Sequence, residues 1–199
     1  MIEVLLVDCY PDNYKDRVPH YIRAINASGR VAVTVDYRSV RAGYRLPPVQ
    51  AVVVSGSPMM LSETDPPERL TAFVLSLDRP VLGICYGHQL LARLAGARVY
   101  RGERIERIET IRVSKPHPIF TGLGNRFPML ESHCEYVLPN EVESAGFEVL
   151  ATSSSCPVET IRHRTRPWFG VQFHPERSAE QGTTLVSNFV RLVVESLRA

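Results

Sequence analysis

Residues 80–89 read PVLGICYGHQ and decide the fold of this chain. The first half is a short apolar run of the kind that forms a buried strand, and helical spacing follows it. Cys85 lies between Gly83 and Gly87, in the pattern of a Gly-x-Ser-x-Gly nucleophile elbow with a thiol in place of the hydroxyl. Glycines allow so tight a turn because a Cβ there would crowd the neighbouring backbone. The segment therefore predicts a strand, a sharp turn and a helix, with Cys85 at the apex.

Two interpretations of Cys85 are open at this point. At a helix N-terminus the helix dipole favours the thiolate, which is the nucleophilic form of cysteine. The backbone amide of Tyr86, in the first helical turn, would then be placed to stabilise an oxyanion. The alternative is a small buried cysteine that only fills a glycine-rich turn.

Outward from this segment, strand and helix patterns alternate along the first half of the chain. Apolar runs at residues 2–7, 31–37 and 49–54 match the one at 80–85, and all are continuous enough for strands buried on both faces. Helical spacing is carried by Val18, Ile22 and Ile25, by Leu70, Phe73, Val74 and Leu77, by Leu90, Leu91, Leu94 and Ala95, and by Leu185, Phe189, Leu192 and Val193. This alternation predicts parallel strands joined by right-handed crossovers.

The pattern changes after residue 97. Shorter alternating segments at 98–113, 128–137, 147–152, 157–163 and 167–173 are separated by turn residues, which favours antiparallel strands. We expect one α/β domain over residues 1–199, with a mostly parallel central sheet flanked by helices and an additional antiparallel strand region in the second half.

Composition excludes several classes of protein. The chain has 199 residues, of which 44% are hydrophobic, and a formal net charge of +2, which excludes a disordered chain and a dedicated binder of nucleic acid or of a membrane surface. No apolar run approaches the roughly 18 residues of a membrane span. Four widely spaced cysteines and the lack of a secretory signal predict a cytoplasmic protein without a metal site. Without a phosphate-binding glycine motif, we expect no nucleotide cofactor.

Two further segments carry possible chemistry. A strand-like run at 169–173 leads into His174-Pro175-Glu176, and side chains two residues apart near a strand end can project to the same side. Glu176 could thus orient the imidazole of His174 while its other nitrogen faces a thiol. Residues 55–58, which read Ser-Gly-Ser-Pro, follow another buried strand, at the edge where parallel sheets bind ligands.

Together, residues 83–89, 173–176 and 55–58 resemble the motifs of the class I (triad) glutamine amidotransferases, in that family's order and across nearly the whole chain. Within that family, residues 156–161 and 170–176 are most similar to the glutaminase part of GMP synthases. Ser-His-Cys-Glu-Tyr-Val at 132–137 is similar to their Ser-His-Gly-Asp-x-Val stretch.

The resemblance implies a glutaminase. Cys85 would attack the side-chain amide of L-glutamine and form a glutamyl thioester, while His174, oriented by Glu176, would move the protons. The residues that it places around the substrate or its oxyanion are Gly56, Ser57, Tyr86, Gln89, Cys134 and Glu135. It further implies that the ammonia passes to a separate ATP-dependent synthetase subunit that makes GMP from XMP, since one helix follows His-Pro-Glu and no acceptor domain does.

Ser57 and Cys134 depart from the family pattern, which usually has glycine at both positions. A side chain at 57 requires a negative or locally stabilised φ. Three alternatives stay open: an amidotransferase that serves another acceptor in a specialised biosynthetic pathway, a catalytically silent subunit that senses glutamine, and a hydrolase of γ-glutamyl peptides that needs no partner.

Overall fold

The computed structural model describes residues 3–196, with the side chains of residues 194–196 excepted. Its strands are β1 (Glu3–Asp8), β2 (Val31–Asp36), β3 (Val49–Val54), β4 (Val81–Ile84), β5 (Val99–Val113), β6 (Arg126–Val137), β7 (Phe147–Thr152), β8 (Thr160–His163) and β9 (Trp168–Val171). Its α-helices are α1 (Val18–Ala27), α2 (Glu68–Leu75), α3 (Tyr86–Leu94), α4 (Pro139–Ser144) and α5 (Ala179–Ser196). Ile2, in the run predicted as the first strand, lies outside the described residues.

The described strands form one mixed sheet in the order β2-β1-β3-β4-β9-β8-β7-β5-β6. The pairs from β2 to β9 are parallel, and the pairs from β9 to β6 are antiparallel. The predicted α/β class with an antiparallel region in the second half is confirmed. The antiparallel strands continue the parallel sheet, and β9 joins the two parts because it runs parallel to β4 and antiparallel to β8.

Apolar side chains cover both faces of β1, β3 and β4, as their continuous apolar runs predict. The prediction that residues 31–37 form a strand buried on both faces is wrong. β2 is an edge strand with a neighbour on one side, so none of its residues is buried and Val31 is 40% exposed. In β1, Val4 and Leu6 pack into the core formed with α1 and α5, whereas Leu5 and Val7 enter the core formed with α2 and α3. Burying each such side chain stabilises the fold by about 1.5–3 kcal/mol. The two cores fix the sheet between its helices, so the carboxyl ends of β1, β3, β4 and β9 meet at one edge.

The predicted helices are present, and one was missed. Gly29 ends α1 as expected and has a φ of 76°, which favours glycine. The missed helix is α4, whose six residues are too few to display a helical period. No helix among residues 3–196 is long and apolar enough to cross a membrane.

Candidate active site

Cys85 occupies a strained turn between β4 and α3. Its φ of 51° and ψ of −104° are unusual for a residue with a side chain, and its backbone N–H donates to the carbonyl of Val171 at 2.8 Å. A Cβ on Gly83 would lie 2.3 Å from the carbonyl oxygen of Gly87, and one on Gly87 would lie 2.4 Å from that of Val54. Both glycines are therefore required by close backbone approach, and the predicted elbow is present.

His174 and Glu176 lie in direct contact beside this turn. The imidazole Nδ1 is 2.7 Å from Glu176 Oε1, and both side chains are buried, with 5% and 1% of their surface exposed. They do not project from a strand as predicted. β9 ends at Val171, and the 3-10 helix Pro175–Arg177 brings Glu176 back towards the ring.

The charge of the His174 ring is set by opposing effects. Burial alone lowers its pKa, but the negative charges of Glu176 and Cys85 and hydrogen bonds to both raise the pKa well above the ordinary histidine value. A protonated imidazole is therefore favoured next to the Cys85 sulfur. This arrangement suits an ion pair between an imidazolium and a thiolate.

The other three cysteines have environments that disfavour the thiolate. Burial raises the pKa of the thiols of Cys9, Cys134 and Cys156. Adjacent carboxylates raise it further, namely Asp8 for Cys9, Glu135 for Cys134 and Glu159 for Cys156. Cys85 differs from these three cysteines because its thiol contacts the imidazole of His174.

Ser57 lies in the turn after β3 without backbone strain. Among the described residues, Cys85 and Ala179 are the non-glycine residues with a positive φ, so a side chain at 57 is tolerated. The Ser57 hydroxyl donates to the carbonyl of Cys9 at 2.8 Å and accepts from the amide of Met59 at 3.2 Å. Within residues 3–196 the amide N–H of Ser57 has no hydrogen-bond partner, so it is free to meet a ligand.

Gly56, in contrast, has a structural reason to be glycine. Its amide donates to the hydroxyl of Tyr21 at 3.0 Å, and a Cβ would lie 2.8 Å from the hydroxyl of Tyr10 and 3.2 Å from Cε1 of His174. The hydroxyl groups of Tyr10 and Tyr21 lie 3.2 Å apart and pack against this turn. Neither tyrosine was predicted, because a buried tyrosine has no local sequence motif.

Tyr86 and Gln89 lie in the first turn of α3. The amide of Tyr86 is at the helix start, where no intrahelical acceptor is available. The Gln89 side-chain amide donates to the carbonyl of Glu135 at 2.9 Å and lies 3.1 Å from Oε1 of Gln172. Gln172, which the sequence analysis did not single out, places its own Nε2 3.8 Å from the Cys85 sulfur.

β6 borders the opposite side of the site. The Glu135 carboxylate accepts from the amides of Leu61 and Ser62 at 3.0 and 2.6 Å, and it thereby holds the segment after β3. The half-buried thiol of Cys134 contacts the sulfur of Met60 at 3.8 Å. The carbonyl of Ser132 lies 4.0 Å from the Cys85 sulfur.

Two adjoining cavities meet at Cys85. One has a volume of about 150 Å³ and is lined by Ser57, Gln89, Cys134 and Glu135 among others. The second, of about 190 Å³, is lined by Tyr10, His174 and charged residues that include Arg17, Arg104, Glu106 and Arg177. The structure therefore brings all nine predicted site residues to one edge of the sheet, with the sulfur accessible from both cavities.

A buried acidic cluster lies behind β6 and was also missed. His133 Nε2 is 3.1 Å from Glu131 Oε2, and Glu131 and Glu159 are both fully buried. Burial raises the pKa of Glu131 to about 7, and burial together with the charge of Glu131 raises the pKa of Glu159. Within the described part of the chain no group of three histidines, cysteines or acids is arranged to hold a metal ion.

Comparisons with known proteins agree with this geometry. The family model for class I glutamine amidotransferases matches residues 5–193. A glutamine-hydrolysing GMP synthase subunit of Pyrococcus abyssi is 38% identical over 148 residues, which are 72% of this chain and 76% of that protein. The protein of the same name from Methanocaldococcus jannaschii is 35% identical over 146 residues, covering 72% of this chain and 74% of its own.

A solved structure shows the same fold. The crystal structure of a GMP synthase subunit protein from Thermoplasma acidophilum superposes with a TM-score of 0.83, covering 100% of this chain and 96% of its own, at 23% identity. The family model spans most of the chain and carries the assignment of family. The chain belongs to the class I glutamine amidotransferases and is an enzyme of that family.

Proposed function

We propose that this enzyme hydrolyses the side-chain amide of L-glutamine to glutamate and ammonia through a triad of Cys85, His174 and Glu176. The observation that carries the proposal is a cysteine at the apex of a strained elbow, facing a buried imidazole whose other nitrogen lies 2.7 Å from a buried carboxylate. Nucleophile, base and orienting acid are the three parts that covalent hydrolysis of an amide requires.

The first half of the reaction forms the thioester. The Cys85 thiolate attacks the amide carbon, and the carbonyl oxygen becomes an oxyanion that the free amides of Ser57 and Tyr86 stabilise. The His174 imidazolium donates its proton to the amide nitrogen, the C–N bond breaks and ammonia leaves. Glu176 stabilises the imidazolium and keeps the ring in one orientation.

The second half returns the enzyme to its resting state. A water molecule gives a proton to the now neutral His174 and attacks the thioester carbon. The C–S bond breaks, the new carboxyl group loses its proton to solvent as glutamate leaves, and the sulfur is again a thiolate beside the imidazolium. Both side chains of the His174–Glu176 pair are buried, so Glu176 remains the partner of Nδ1 in both halves of the reaction.

The cavity of about 150 Å³ is the proposed glutamine site. Both protons of the Gln89 amide face protein acceptors, so its Oε1 is the atom left to contact a substrate donor. The backbone at Cys134 and Glu135 would line the other side, and Gly56 keeps the turn close to the ring. The departures at Ser57 and Cys134 are compatible with this role, because neither side chain strains the backbone.

We further infer that residues 1–199 act as one glutaminase domain in the cytoplasm and supply ammonia to a separate ATP-dependent synthetase subunit, with GMP as the product. The names of the archaeal relatives support this acceptor. An amidotransferase that serves another acceptor is the second candidate, and it would use the same glutamine chemistry.

Ammonia release tests the glutaminase proposal. The intact chain and Cys85→Ser should be compared with glutamine as substrate, alone and with a candidate synthetase. We expect the variant to lose at least about 10³-fold in kcat while its circular dichroism spectrum is unchanged. Retained turnover in Cys85→Ser would exclude the proposed nucleophile, and inactivity of the wild type with every synthetase would favour a silent glutamine sensor.

A pull-down from source lysate tests the acceptor. Recovery of an ATP-dependent synthetase that converts XMP to GMP with the ammonia supports the proposed product. Recovery of a different synthetase identifies another acceptor, and faster cleavage of γ-glutamyl peptides than of glutamine would remove the need for a partner.

A further inference from the structure

Gln172 is a fully buried polar residue to which the proposed triad gives no role. It follows β9 directly, and its backbone N–H donates to the carbonyl of Glu159 at 2.9 Å. Its side chain lies between Gln89 and the Cys85 sulfur. A buried amide of this kind needs partners for both of its ends, and here one partner is the proposed nucleophile.

The hydrogen bonds fix which end of Gln172 faces the sulfur. The carbonyl of Glu135 can only accept, so Gln89 must present its NH₂ group to it. The second proton of that NH₂ group points to Gln172, which must then present its Oε1. The Gln172 NH₂ group is left facing Cys85, where it can donate to sulfur over 3.8 Å.

The Glu135 carbonyl, at the start of this chain of hydrogen bonds, also contacts His133. Nδ1 of His133 also faces the Glu135 carbonyl, at 2.9 Å, so Nδ1 carries the proton. Nε2 of the neutral ring lies 3.1 Å from the Glu131 carboxyl without a hydrogen bond, so within the described residues the one hydrogen bond of this ring is the one to the Glu135 carbonyl. The Glu135 carbonyl is thus held by donors from β6 and α3, and neither Gln89 nor Gln172 is free to flip its amide.

We propose that Gln172 is a positioning residue for glutamine hydrolysis, which donates a hydrogen bond to the Cys85 thiolate and is oriented by Gln89 and the Glu135 carbonyl. The inference rests on the proposed function, since it assigns Gln172 to the same thiolate. A donor stabilises the charged sulfur over the neutral thiol and holds it in the elbow between turnovers. Gln172 acts through Cys85 and not on the substrate.

The test is the pH dependence of alkylation at Cys85, measured with iodoacetamide and read from the mass of the Cys85 peptide in the full chain. Gln172→Leu removes the donor, and we expect the pH midpoint of the reaction to rise by about one unit. Gln172→Glu keeps the shape but places a carboxylate oxygen next to the sulfur, so the midpoint should rise further. The kcat for glutamine should fall about tenfold in Gln172→Leu, with little change in KM.

A matched control is Gln50→Leu. The Gln50 side chain on β3 also has both ends hydrogen-bonded, to the amide of Glu3 and the carbonyl of Pro48, but it lies away from the site. This variant should leave the midpoint unchanged. If Gln172→Leu does not fold, the isosteric Gln172→Glu decides the question.

A midpoint that stays within about 0.2 units of wild type in either folded Gln172 variant overturns the inference. Alkylation needs no turnover, so this result is independent of the glutaminase proposal. If the variants show the expected shifts but the wild type hydrolyses no glutamine, the contact between Gln172 and the Cys85 thiolate stands and the proposed function fails.

Discussion

The two parts of the sheet differ in what they bury. In the parallel part, β1 to β4, the inner strands β1, β3 and β4 bury valine, leucine and isoleucine on both faces. The antiparallel part, β5 to β8 with its connections, buries glutamates: Glu109, Glu131, Glu135 and Glu159 are all less than 9% exposed. Apolar side chains are stabilised by leaving water, whereas each buried carboxyl needs a proton or a partner. The parallel part therefore supplies a rigid frame, and the antiparallel part supplies groups that orient one another.

The site lies where the two parts meet. Cys85 follows β4 and Ser57 follows β3, both in the parallel part, while β6 contributes Cys134 and Glu135 from the antiparallel part. β9 pairs with both parts, and His174 and Glu176 follow it. The apolar frame thus positions the nucleophile, and buried polar contacts align its partners.

The largest expected effect comes from removing the negative charge of Glu176, at the junction of the two parts of the sheet. In Glu176→Gln the geometry around His174 is kept, but the imidazolium loses the negative charge that stabilises it. We expect kcat for ammonia release to fall about 10³-fold, as removal of an orienting carboxylate does in comparable triads. The measurement is steady-state ammonia release across pH.

Glu180→Gln is the matched control for that change, because Glu180 is exposed in the first turn of α5 and carries the same substitution. It should keep wild-type kcat. A Glu176→Gln enzyme with more than about a tenth of wild-type activity would show that catalysis does not depend on the negative charge of Glu176 beside His174.

The next effect concerns packing between α5 and the His-Pro-Glu turn. A Cβ on Gly182 would lie 1.8 Å from the carbonyl oxygen of Pro175, so Gly182→Ala must displace the turn that holds His174 and Glu176. We expect a loss of about 2–3 kcal/mol in the free energy of unfolding, together with lower kcat. Urea denaturation and ammonia release measure the two.

Gly102→Ala controls for the added methyl group, because its Cβ would approach the side chain of Tyr136 at 3.0 Å and would reach a backbone atom, the Cys134 carbonyl oxygen, only at an ordinary contact distance of 3.9 Å. That variant should lie within about 0.5 kcal/mol of wild type. Equal stability of the Gly182 and Gly102 variants would contradict the close approach of α5 to the turn.

A smaller, pH-dependent effect is expected in the antiparallel part. Burial raises the pKa of Glu131 to about 7, whereas an unfolded glutamate titrates near 4.3. The titratable groups that face Glu131 are Glu159, Glu109, His133 and His174. Between these values the folded chain holds a proton that the unfolded chain has lost, so stability falls as pH rises towards 7. Glu131→Gln keeps the shape of the side chain and cannot ionise.

The free energy of unfolding of Glu131→Gln, relative to wild type, should therefore increase between pH 5 and pH 8, by on the order of 2 kcal/mol. Urea denaturation at several pH values measures it, with Glu103→Gln on the exposed edge of β5 as the control. A difference that is constant with pH would show that the Glu131 carboxyl carries no raised pKa.

The contrast between the two parts also explains what the sequence could predict. Apolar runs and helical spacing predicted the parallel strands and their helices, and the glycine spacing predicted the elbow at Cys85. Gln172, Glu131 and Gly182 could not be predicted in the same way. Their roles depend on partners 83, 28 and 7 residues away in sequence, namely Gln89, Glu159 and Pro175, and no local pattern records such contacts.

The most direct test of the central claim, that the Cys85 thiolate at this junction is the nucleophile, is covalent trapping with a glutamine-mimicking electrophile. Peptide mass analysis should find one equivalent of adduct, located on Cys85, and excess glutamine should protect the thiol. His174→Gln should slow the labelling, because the thiolate loses its partner. Labelling of Cys134 instead, or turnover that continues after Cys85 is fully modified, would contradict the account.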